Sequence, residues 1–203
     1  MKKIAIVTGG AGFIGSHMTD KLLKENYKVR IIDNFSGGHQ KNLLEHVNNN
    51  DLQIEEKNIN TIENTNSIFK NVDVLFHFAG VGDIVPSIEQ PINYFKTNVM
   101  GTINMLESSR SNNIGKFIYA ASSSCYGLAK TPTDESHIID PKYPYALSKY
   151  QGEQCAFHWA NVYGLNVKSI RIFNAYGRRV RTTGAYGAVF GVFLKQYLSG
   201  TPL

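Results

Sequence analysis

Short apolar runs alternate with longer amphipathic segments along the whole chain. The apolar runs predict six buried strands, at residues 3–8, 28–33, 52–57, 72–78, 116–121 and 167–173. Apolar side chains spaced three and four apart predict helices at residues 13–25, from Pro91 to about residue 110, at 144–163 and at 188–198. Strands that alternate with helices are typical of an α/β fold with a doubly wound parallel sheet.

A glycine-rich turn follows the first predicted strand. It reads Thr8-Gly9-Gly10-Ala11-Gly12-Phe13-Ile14-Gly15, and the next strand ends in Asp33. Glycines at this place let backbone N–H groups at a helix N-terminus approach a pyrophosphate. The unit predicts a Rossmann-type dinucleotide site in which Asp33 binds the adenosine ribose. A carboxylate there repels a 2′-phosphate and so favours NAD over NADP, although an acid at a strand end also serves as a turn residue.

A tyrosine and a lysine stand four residues apart on the predicted helix 144–163. At 100° per residue, Tyr145 and Lys149 lie on one face, one turn apart. A nearby cation favours the phenolate, so we expect the ammonium group to lower the tyrosine pKa and make it a general base. Three serines, residues 122–124, follow the fifth strand, where open α/β sheets bind ligands. Considered on its own, the Tyr145–Lys149 pair is also explained as a surface contact. The three serines, considered on their own, are also explained as a turn.

Composition narrows the class of ligand. The chain has a net charge of +5 and a pI of about 9.1, but its basic residues are scattered except at Arg178, Arg179 and Arg181. That distribution favours an anionic small molecule over nucleic acid. Apolar runs are too short to span a membrane, the N-terminus lacks a signal-peptide pattern, and Cys125 and Cys155 have no metal-ligand spacing. We therefore expect a cytoplasmic protein without a metal site or a membrane partner.

Together the motifs resemble the nucleotide-sugar epimerase/dehydratase family of extended short-chain dehydrogenases. The resemblance covers essentially the whole chain and rests on residues 8–17, 33–34, 77–80, 97–99, 122–127, 143–149 and 171–177. It implies that residues 1–203 form one NAD-binding Rossmann domain with the catalytic serine, tyrosine and lysine. It also implies that a sugar-nucleotide-binding region starts at about residues 174–203, and that the C-terminal substrate subdomain of the family is largely absent.

The resemblance assigns roles to individual residues. It implies catalytic roles for Ser122, Tyr145 and Lys149, and substrate contacts for Ser122, Ser123, Ser124 and Asn174. For the cofactor it implies Gly9, Gly12, Phe13, Ile14, Gly15, Asp33, Asn34, Asn58, Ile59, Phe78, Ala79, Gly80, Asn98, Tyr145 and Lys149. Two positions depart from the family pattern. Asn58 replaces an aspartate that holds the adenine, where we expect its acceptor oxygen to keep a weaker contact, and Arg178 replaces a proline.

The residues that follow Ser122 also distinguish between the different reactions of this family. Dehydratases of this family carry Asp-Glu directly after the active serine or threonine, and decarboxylases carry a glutamate at the second place. Ser123 and Ser124 stand there in this chain. The resemblance therefore favours NAD-dependent 4-epimerisation of a UDP-hexose through a 4-keto intermediate. The alternatives are a dehydratase, a decarboxylase, a reductase or a catalytically silent NAD-binding module. The reductase would use NADPH, which conflicts with Asp33.

The same resemblance implies a homodimer. In this family, helices at about residues 92–110 and 144–163 pair across a two-fold axis into a four-helix bundle. The first of them carries an apolar stripe, formed by Ile92, Phe95, Val99, Ile103 and Leu106. We expect Phe157 and Trp159 near that seam, and ordinary packing against the sheet is the alternative.

Overall fold

Six parallel strands form the sheet that the apolar runs predict. The computed structural model describes residues 1–180 and 189–201. The strands are β1 (Ile4–Thr8), β2 (Lys28–Asp33), β3 (Leu52–Glu56), β4 (Val74–His77), β5 (Phe117–Ser122) and β6 (Val167–Ile172). They lie in the order β3-β2-β1-β4-β5-β6, with every neighbouring pair parallel. This is the strand order of a Rossmann-type doubly wound sheet.

Helices connect the strands, and three of them, α1, α5 and α6, match their predicted ends to within one residue. The helices are α1 (Phe13–Lys24), α2 (Ile84–Glu89), α3 (Pro91–Phe95), α4 (Gly101–Ser111), α5 (Pro144–Tyr163) and α6 (Val189–Ser199). A π-helical turn, Lys96–Met100, joins α3 to α4, and 3₁₀ turns lie at Gln40–His46, Ser67–Phe69 and Ser123–Tyr126. The 3₁₀ turns and α2 were not predicted. No described helix is long and apolar enough to cross a membrane.

The apolar core has two layers, one on each face of the sheet. Alternate residues of β1 divide between them: Ala5 and Val7 pack beneath α1, and Ile6 packs with the layer that contains Met105 of α4 and Ala156 of α5. This division follows from the period of two in a strand, which sends successive side chains to opposite faces. Because all neighbouring strands are parallel, their carboxyl ends lie at the same edge of the sheet, between the helical layers.

The segment that begins at Pro91 differs from the single apolar-faced helix that we predicted. Of the predicted stripe only Leu106 is buried, while Ile92 is 79% exposed. The buried face instead carries the polar residues Asn98, Thr102, Ser108 and Ser109 beside Tyr94 and Met105. The π-helical turn sits where that face reaches the loop after β4. On the buried face, Asn98 and Tyr94 make hydrogen bonds to that loop, whereas Ile92 of the predicted stripe is exposed and Phe95, Val99 and Ile103 are half-buried.

Candidate active site

The strand order creates a crevice between β1 and β4. Thr8 and His77 lie opposite each other at the carboxyl ends of these strands. After β1 the chain continues to β2 on one side of the sheet, and after β4 it continues to β5 on the opposite side. A groove of about 640 Å³ opens there, within the size range of small-molecule sites. It is lined by the predicted cofactor residues Gly9, Gly12, Phe13, Ile14, Gly15, Asp33, Asn34, Asn58, Ile59, Phe78, Ala79 and Gly80.

Steric contacts explain why three of the four glycines of the turn, Gly9, Gly12 and Gly15, lack a side chain. Gly9 has φ +68°, and a Cβ there would lie 2.8 Å from the backbone N of Ala79. A Cβ on Gly12 would be 3.1 Å from the Gly9 carbonyl oxygen, and one on Gly15 only 2.1 Å from that same oxygen. The third glycine thus lets the first turn of α1 sit directly on the glycine turn. The result is a backbone cradle at a helix N-terminus that any side chain would fill.

Asp33 has a structural task as well as its place in the groove. One carboxylate oxygen accepts a hydrogen bond from Ala11 N at 2.9 Å, and the other accepts one from Phe35 N at 2.8 Å. The carboxylate therefore ties the end of β2 to the glycine turn while it lines the groove. The two readings of Asp33 from sequence, a turn residue and a ribose ligand, are compatible because a carboxylate offers about four acceptor positions.

The side chain of Asn58 takes part in a local turn. Its side-chain oxygen, which we expected to face the adenine amino group, accepts hydrogen bonds from the backbone N of Asn60 at 2.9 Å and from the side-chain amide of Asn60 at 3.1 Å. An amide oxygen has two lone pairs, so this turn already uses the acceptor. Asn34 behaves similarly, accepting from Ser36 through both its N–H and its hydroxyl. Both residues line the groove with their acceptors engaged in local turns.

A second cavity, of about 390 Å³, adjoins the groove at the carboxyl end of β5. Its lining includes every residue predicted to be catalytic or to bind substrate: Ser122, Ser123, Ser124, Tyr145, Lys149 and Asn174. The Tyr145 hydroxyl donates to Ser122 Oγ at 3.4 Å, and Ser122 Oγ donates to Ser124 Oγ at 3.1 Å. The fold therefore brings together residues from β5, α5 and the segment after β6. A phenol and a serine hydroxyl so placed can share one reacting oxygen of a ligand.

Comparison with known proteins decides the family. The sequence profile of the NAD dependent epimerase/dehydratase family matches residues 5–203. The chain belongs to this family.

Among the family's curated members, a Methanocaldococcus jannaschii protein provisionally named UDP-glucose 4-epimerase is 39% identical over 195 residues, covering 95% of this chain and 62% of its own length. UDP-N-acetyl-alpha-D-glucosaminuronate decarboxylase of Bacillus cytotoxicus is 32% identical over 209 residues, covering all of this chain and 64% of its own length. The chain thus spans less than two thirds of the length of these relatives. Members with different reactions match it at comparable levels.

Solved structures of the family share the fold. UDP-N-acetylglucosamine 4-epimerase from Methanobrevibacter ruminantium M1 superposes with a TM-score of 0.92 at 33% identity, covering 98% of this chain and 64% of that one. UDP-glucuronic acid 4-epimerase from Bacillus cereus, solved with UDP-glucuronic acid and NAD, gives 0.90 at 30% identity, covering 99% and 64%. NAD is the cofactor of this epimerase/dehydratase family, and the groove fits it through the glycine cradle and the buried Asp33 carboxylate.

Asn98 supports the backbone next to the NAD groove of the epimerase/dehydratase domain and is not one of the residues that line the groove. It lies in the π-helical turn, almost fully buried. Its side-chain oxygen accepts from Val81 N at 2.8 Å, and its amide donates to Val81 O and to Ser148 Oγ, each at 3.0 Å. Ser148 in turn donates to the carbonyl of Tyr145 at 2.8 Å. The predicted role of ordering the active-site backbone agrees with these contacts, whereas a direct cofactor contact by Asn98 does not.

A buried histidine completes this polar support. His77 Nδ1 lies 2.7 Å from Thr8 Oγ1, which accepts from Ala79 N, and His77 Nε2 lies 2.9 Å from Thr102 Oγ1. Since Thr102 donates its own hydroxyl proton to Asn98 O, the histidine must donate from Nε2 and accept at Nδ1. Burial, with a smaller contribution from the charge of Lys149, lowers the pKa of His77 to about 3. His77 is therefore a neutral structural link between the sheet and the helix.

The electrostatics of Tyr145 differ from the sequence prediction. Burial raises its pKa above the usual value, the hydrogen bond with Ser122 lowers it, and the negative charge of Asp83 raises it further. The Lys149 ammonium instead lies 4.5 Å from the ring centroid of Tyr119. Burial lowers the pKa of Lys149 to about 8, and Glu153 opposes that change. The pKa of Tyr145 is therefore raised and not lowered, and Lys149 is not among the causes of its shift, contrary to the sequence prediction.

An ion pair that sequence reasoning missed stands one turn beyond Lys149. Glu153, 2% exposed, accepts from Ser169 Oγ at 2.6 Å and pairs with the Arg171 guanidinium at 3.0 Å. Arg171 also donates to the Tyr126 hydroxyl at 2.6 Å. The pair therefore joins α5 to β6 and to the turn that carries the serines. In the sequence, the only indication of this ion pair is that Glu153 stands four residues after Lys149.

The basic cluster of the sequence is only partly available to a ligand. Arg179 lines the cofactor groove, but its guanidinium donates to Asp20 at 2.7 Å on α1. The carbonyl of Arg178 lies 2.9 Å from His17 Nε2, which fixes the segment after β6 against the same helix. Arg181 lies outside the described residues. Within the described part of the chain, no group of three potential metal ligands is found.

Proposed function

We propose that the protein is an NAD-dependent 4-epimerase of a UDP-hexose. The serine turn carries this proposal, because Ser123 and Ser124 line the substrate cavity beside Ser122 and Tyr145. A hydroxyl cannot serve as the extra carboxyl acid or base that elimination needs, whereas 4-epimerisation needs only one reversible redox step. The names of the M. jannaschii relative and of the M. ruminantium structure support the same reaction.

In the proposed reaction the chain binds the sugar and moves one proton. NAD, when bound, supplies a reversible hydride acceptor for C4 of the sugar. Tyr145 takes the proton from the O4 hydroxyl and returns it, and Ser122 Oγ holds the same oxygen by a hydrogen bond. Lys149 binds the nicotinamide ribose, while Asn174 and the other residues after β6 begin the sugar-nucleotide site. Residues 1–203 together supply the cofactor domain of the enzyme.

Decarboxylation and dehydration are the second candidates. They are favoured by the Bacillus cytotoxicus decarboxylase and by the dTDP-glucose 4,6-dehydratase of Streptomyces venezuelae, whose structure gives a TM-score of 0.90 at 28% identity. A silent NAD-binding module is a third, and the intact Ser122, Tyr145 and Lys149 oppose it. A reductase that uses NADPH conflicts with Asp33.

Proton NMR of UDP-glucose, UDP-N-acetylglucosamine and UDP-glucuronate with NAD tests the proposal. The enzyme would be the gene product that contains this chain, with any sequence that follows Leu203. A second anomeric signal with inverted C4 is the expected result. A keto or decarboxylated product would move the protein to a sibling reaction, and bound NAD without turnover would support the silent module.

Tyr145→Phe tests the proton transfer. We expect turnover to fall by at least about 10²-fold, the usual contribution of general acid–base catalysis, with NAD affinity retained. Tyr143→Phe is the matched control, since Tyr143 precedes the same helix and is exposed. Near-normal turnover by Tyr145→Phe would exclude the proposed role.

We also propose a cytoplasmic homodimer. Ile92 of the apolar stripe and the nearby Met100 are exposed, and Leu147 and Phe157 of α5 are exposed as well. A two-fold pairing of these helices would bury both sets, while Trp159 already packs partly against the core.

Sedimentation should give a dimer that Ile92→Asp dissociates and that Val47→Asp, an exposed position elsewhere, leaves intact. A monomeric wild type would exclude the dimer. The two unpaired cysteines fit a reducing compartment.

A further inference from the structure

The serine turn has one end in the catalytic cavity and the other end outside it. It consists of the 3₁₀ turn Ser123–Tyr126 with Ser122 as its N-terminal cap, and Ser122 Oγ accepts a hydrogen bond from Ser124 N at 3.2 Å. Ser122 lines the cavity, whereas Tyr126, 4% exposed, is not among the described residues that line it. The 3₁₀ turn joins the two residues over only four positions, so a contact that holds Tyr126 also restricts the position of Ser122.

Tyr126 is held by β6 and by the segment that follows this strand. Its hydroxyl accepts a hydrogen bond from Arg171 Nη1 at 2.6 Å, and its ring stacks on Phe173 with centroids 6.4 Å apart and an interplanar angle of 28°. Arg171 belongs to β6, and Phe173 lines the cavity directly before Asn174. Tyr126 therefore connects the far end of the serine turn to the segment that we propose to begin the sugar-nucleotide site.

The Arg171 guanidinium is itself fixed by Glu153. Nε of Arg171 donates to both carboxylate oxygens of Glu153, at 3.2 and 3.0 Å, and Nη2 lies 3.0 Å from Oε2. Contacts from two nitrogens of a planar guanidinium to one carboxylate define its orientation, and the two side chains are only 17% and 2% exposed. Glu153 stands one turn after Lys149 and two turns after Tyr145 on α5, and so on the same face of that helix.

The direct contact between the two hydroxyls of the site is weaker than these supports. The Tyr145 hydroxyl lies 3.4 Å from Ser122 Oγ, which is longer than the about 2.5–3.0 Å of a good O–H···O hydrogen bond. The bond from Arg171 to Tyr126 has a charged donor, and such bonds are roughly twice as strong as neutral ones. The contacts from Glu153 through Arg171 to Tyr126 thus link α5 to the serine turn more strongly than the hydroxyl contact does.

We propose that Tyr126 is a positioning residue that holds Ser122 within hydrogen-bond distance of Tyr145 through the buried ion pair. The inference rests on the proposed function, which assigns those two hydroxyls to the reacting sugar oxygen. Without the hydroxyl of Tyr126, the serine turn keeps the ring stacking but loses its link to α5. The hydrogen bond between Ser122 and Tyr145 then weakens, and since that bond lowers the pKa of Tyr145, this pKa rises.

Tyr126→Phe tests this role because it removes only the hydroxyl and keeps the ring. The assay measures kcat and KM for UDP-glucose and UDP-N-acetylglucosamine with NAD as a function of pH, in the gene product that contains this chain. Tyr163→Phe is the matched control, since it removes an exposed hydroxyl at the end of α5. Thermal unfolding and NAD titration confirm that each variant folds and binds cofactor.

We expect Tyr126→Phe to lower kcat about five- to tenfold, the equivalent of one neutral hydrogen bond, with KM and NAD affinity nearly unchanged. Because a general base must be deprotonated, the higher pKa of Tyr145 should move the low-pH limb of the kcat profile to higher pH by roughly 0.5 to 1 pH unit. Tyr163→Phe should change neither kcat nor the profile. A Tyr126→Phe enzyme with the wild-type kcat profile would overturn the proposal.

A double-mutant cycle separates positioning from general destabilisation. If Tyr126 acts through Ser122, Tyr126→Phe should change kcat little in a Ser122→Ala background, because the contact that it protects is already absent there. Losses in kcat that simply multiply would contradict an action through Ser122.

Hydrogen exchange separates this proposal from the proposed function. If the enzyme epimerises no sugar, the reaction assignment fails, and exchange of the backbone amides of residues 123–127 still reports on the serine turn. Exchange at least about fivefold faster in Tyr126→Phe than in the wild type and in Tyr163→Phe would support the positioning role. An unchanged exchange rate would reject it.

Discussion

Replacing Lys149 by methionine should stabilise the chain although it removes a residue for which we propose a catalytic role. Lys149 is 7% exposed, and burial lowers its pKa from the 10.5 of a free lysine to about 8. A tenfold change in proton affinity is worth about 1.4 kcal/mol, so holding this ammonium group in the fold costs on the order of 3 kcal/mol at neutral pH. Methionine keeps the apolar stem and removes the charge.

The effect has a defined pH dependence. Below about pH 8 both the folded and the unfolded chain carry the proton on Lys149, and the full cost applies. Between about pH 8 and 10.5 the unfolded chain binds more protons than the folded one, so the stability of the wild type rises with pH relative to Lys149→Met. The difference between the two proteins should therefore shrink from pH 7 towards pH 10.

Urea unfolding, followed by the fluorescence of the single tryptophan, Trp159, measures this difference. Lys168→Met serves as the control, since Lys168 is exposed on β6 and should change stability by less than about 0.5 kcal/mol. A Lys149→Met protein that is no more stable than the wild type at pH 7, or a difference that does not vary with pH, would refute the reasoning.

Two further substitutions test the scaffold of the site. Gly15→Ala would place a Cβ 2.1 Å from the Gly9 carbonyl oxygen. We expect this variant to lose about 2 kcal/mol of folding stability and at least tenfold in NAD affinity. Unchanged NAD binding in calorimetry would contradict the geometry of the glycine turn. Glu153→Gln should cost roughly 3 kcal/mol in urea unfolding, because the Arg171 guanidinium loses its buried partner. It should also lower the pKa of Lys149 further, and a variant as stable as the wild type would show that the pair contributes nothing.

Much of the fold could be predicted because its signals are local. The six apolar runs became the six strands, and α5 begins and ends at the predicted residues, Pro144 and Tyr163. The glycine turn and the serine turn were placed at strand ends because each follows an apolar run directly. Their meeting in one crevice then follows from the shared edge of a parallel sheet.

The remainder could not be predicted because it depends on contacts between distant segments. Tyr94 and Asn98 lie on the buried face of segment 91–111 and support the loop after β4, which no periodicity reveals. The pKa of Tyr145 depends on burial and on Asp83, 62 positions away in the sequence, and not on the lysine one turn along the helix. Local spacing predicted that Tyr145 and Lys149 share one helix face but misjudged the electrostatics of the tyrosine for this reason.

The loop after β4 has a consequence for the energetics of binding. Fixing the backbone of one residue costs about 1–2 kcal/mol of conformational entropy, and here the cost falls on folding, because Thr8, Asn98 and Tyr94 already hold residues 79–82. A ligand that docks against this loop does not have to order it, so more of its contact energy appears as affinity. The amides of Ala79 and Val81 should accordingly exchange with solvent as slowly as strand amides, although side chains and not a neighbouring strand accept their hydrogen bonds.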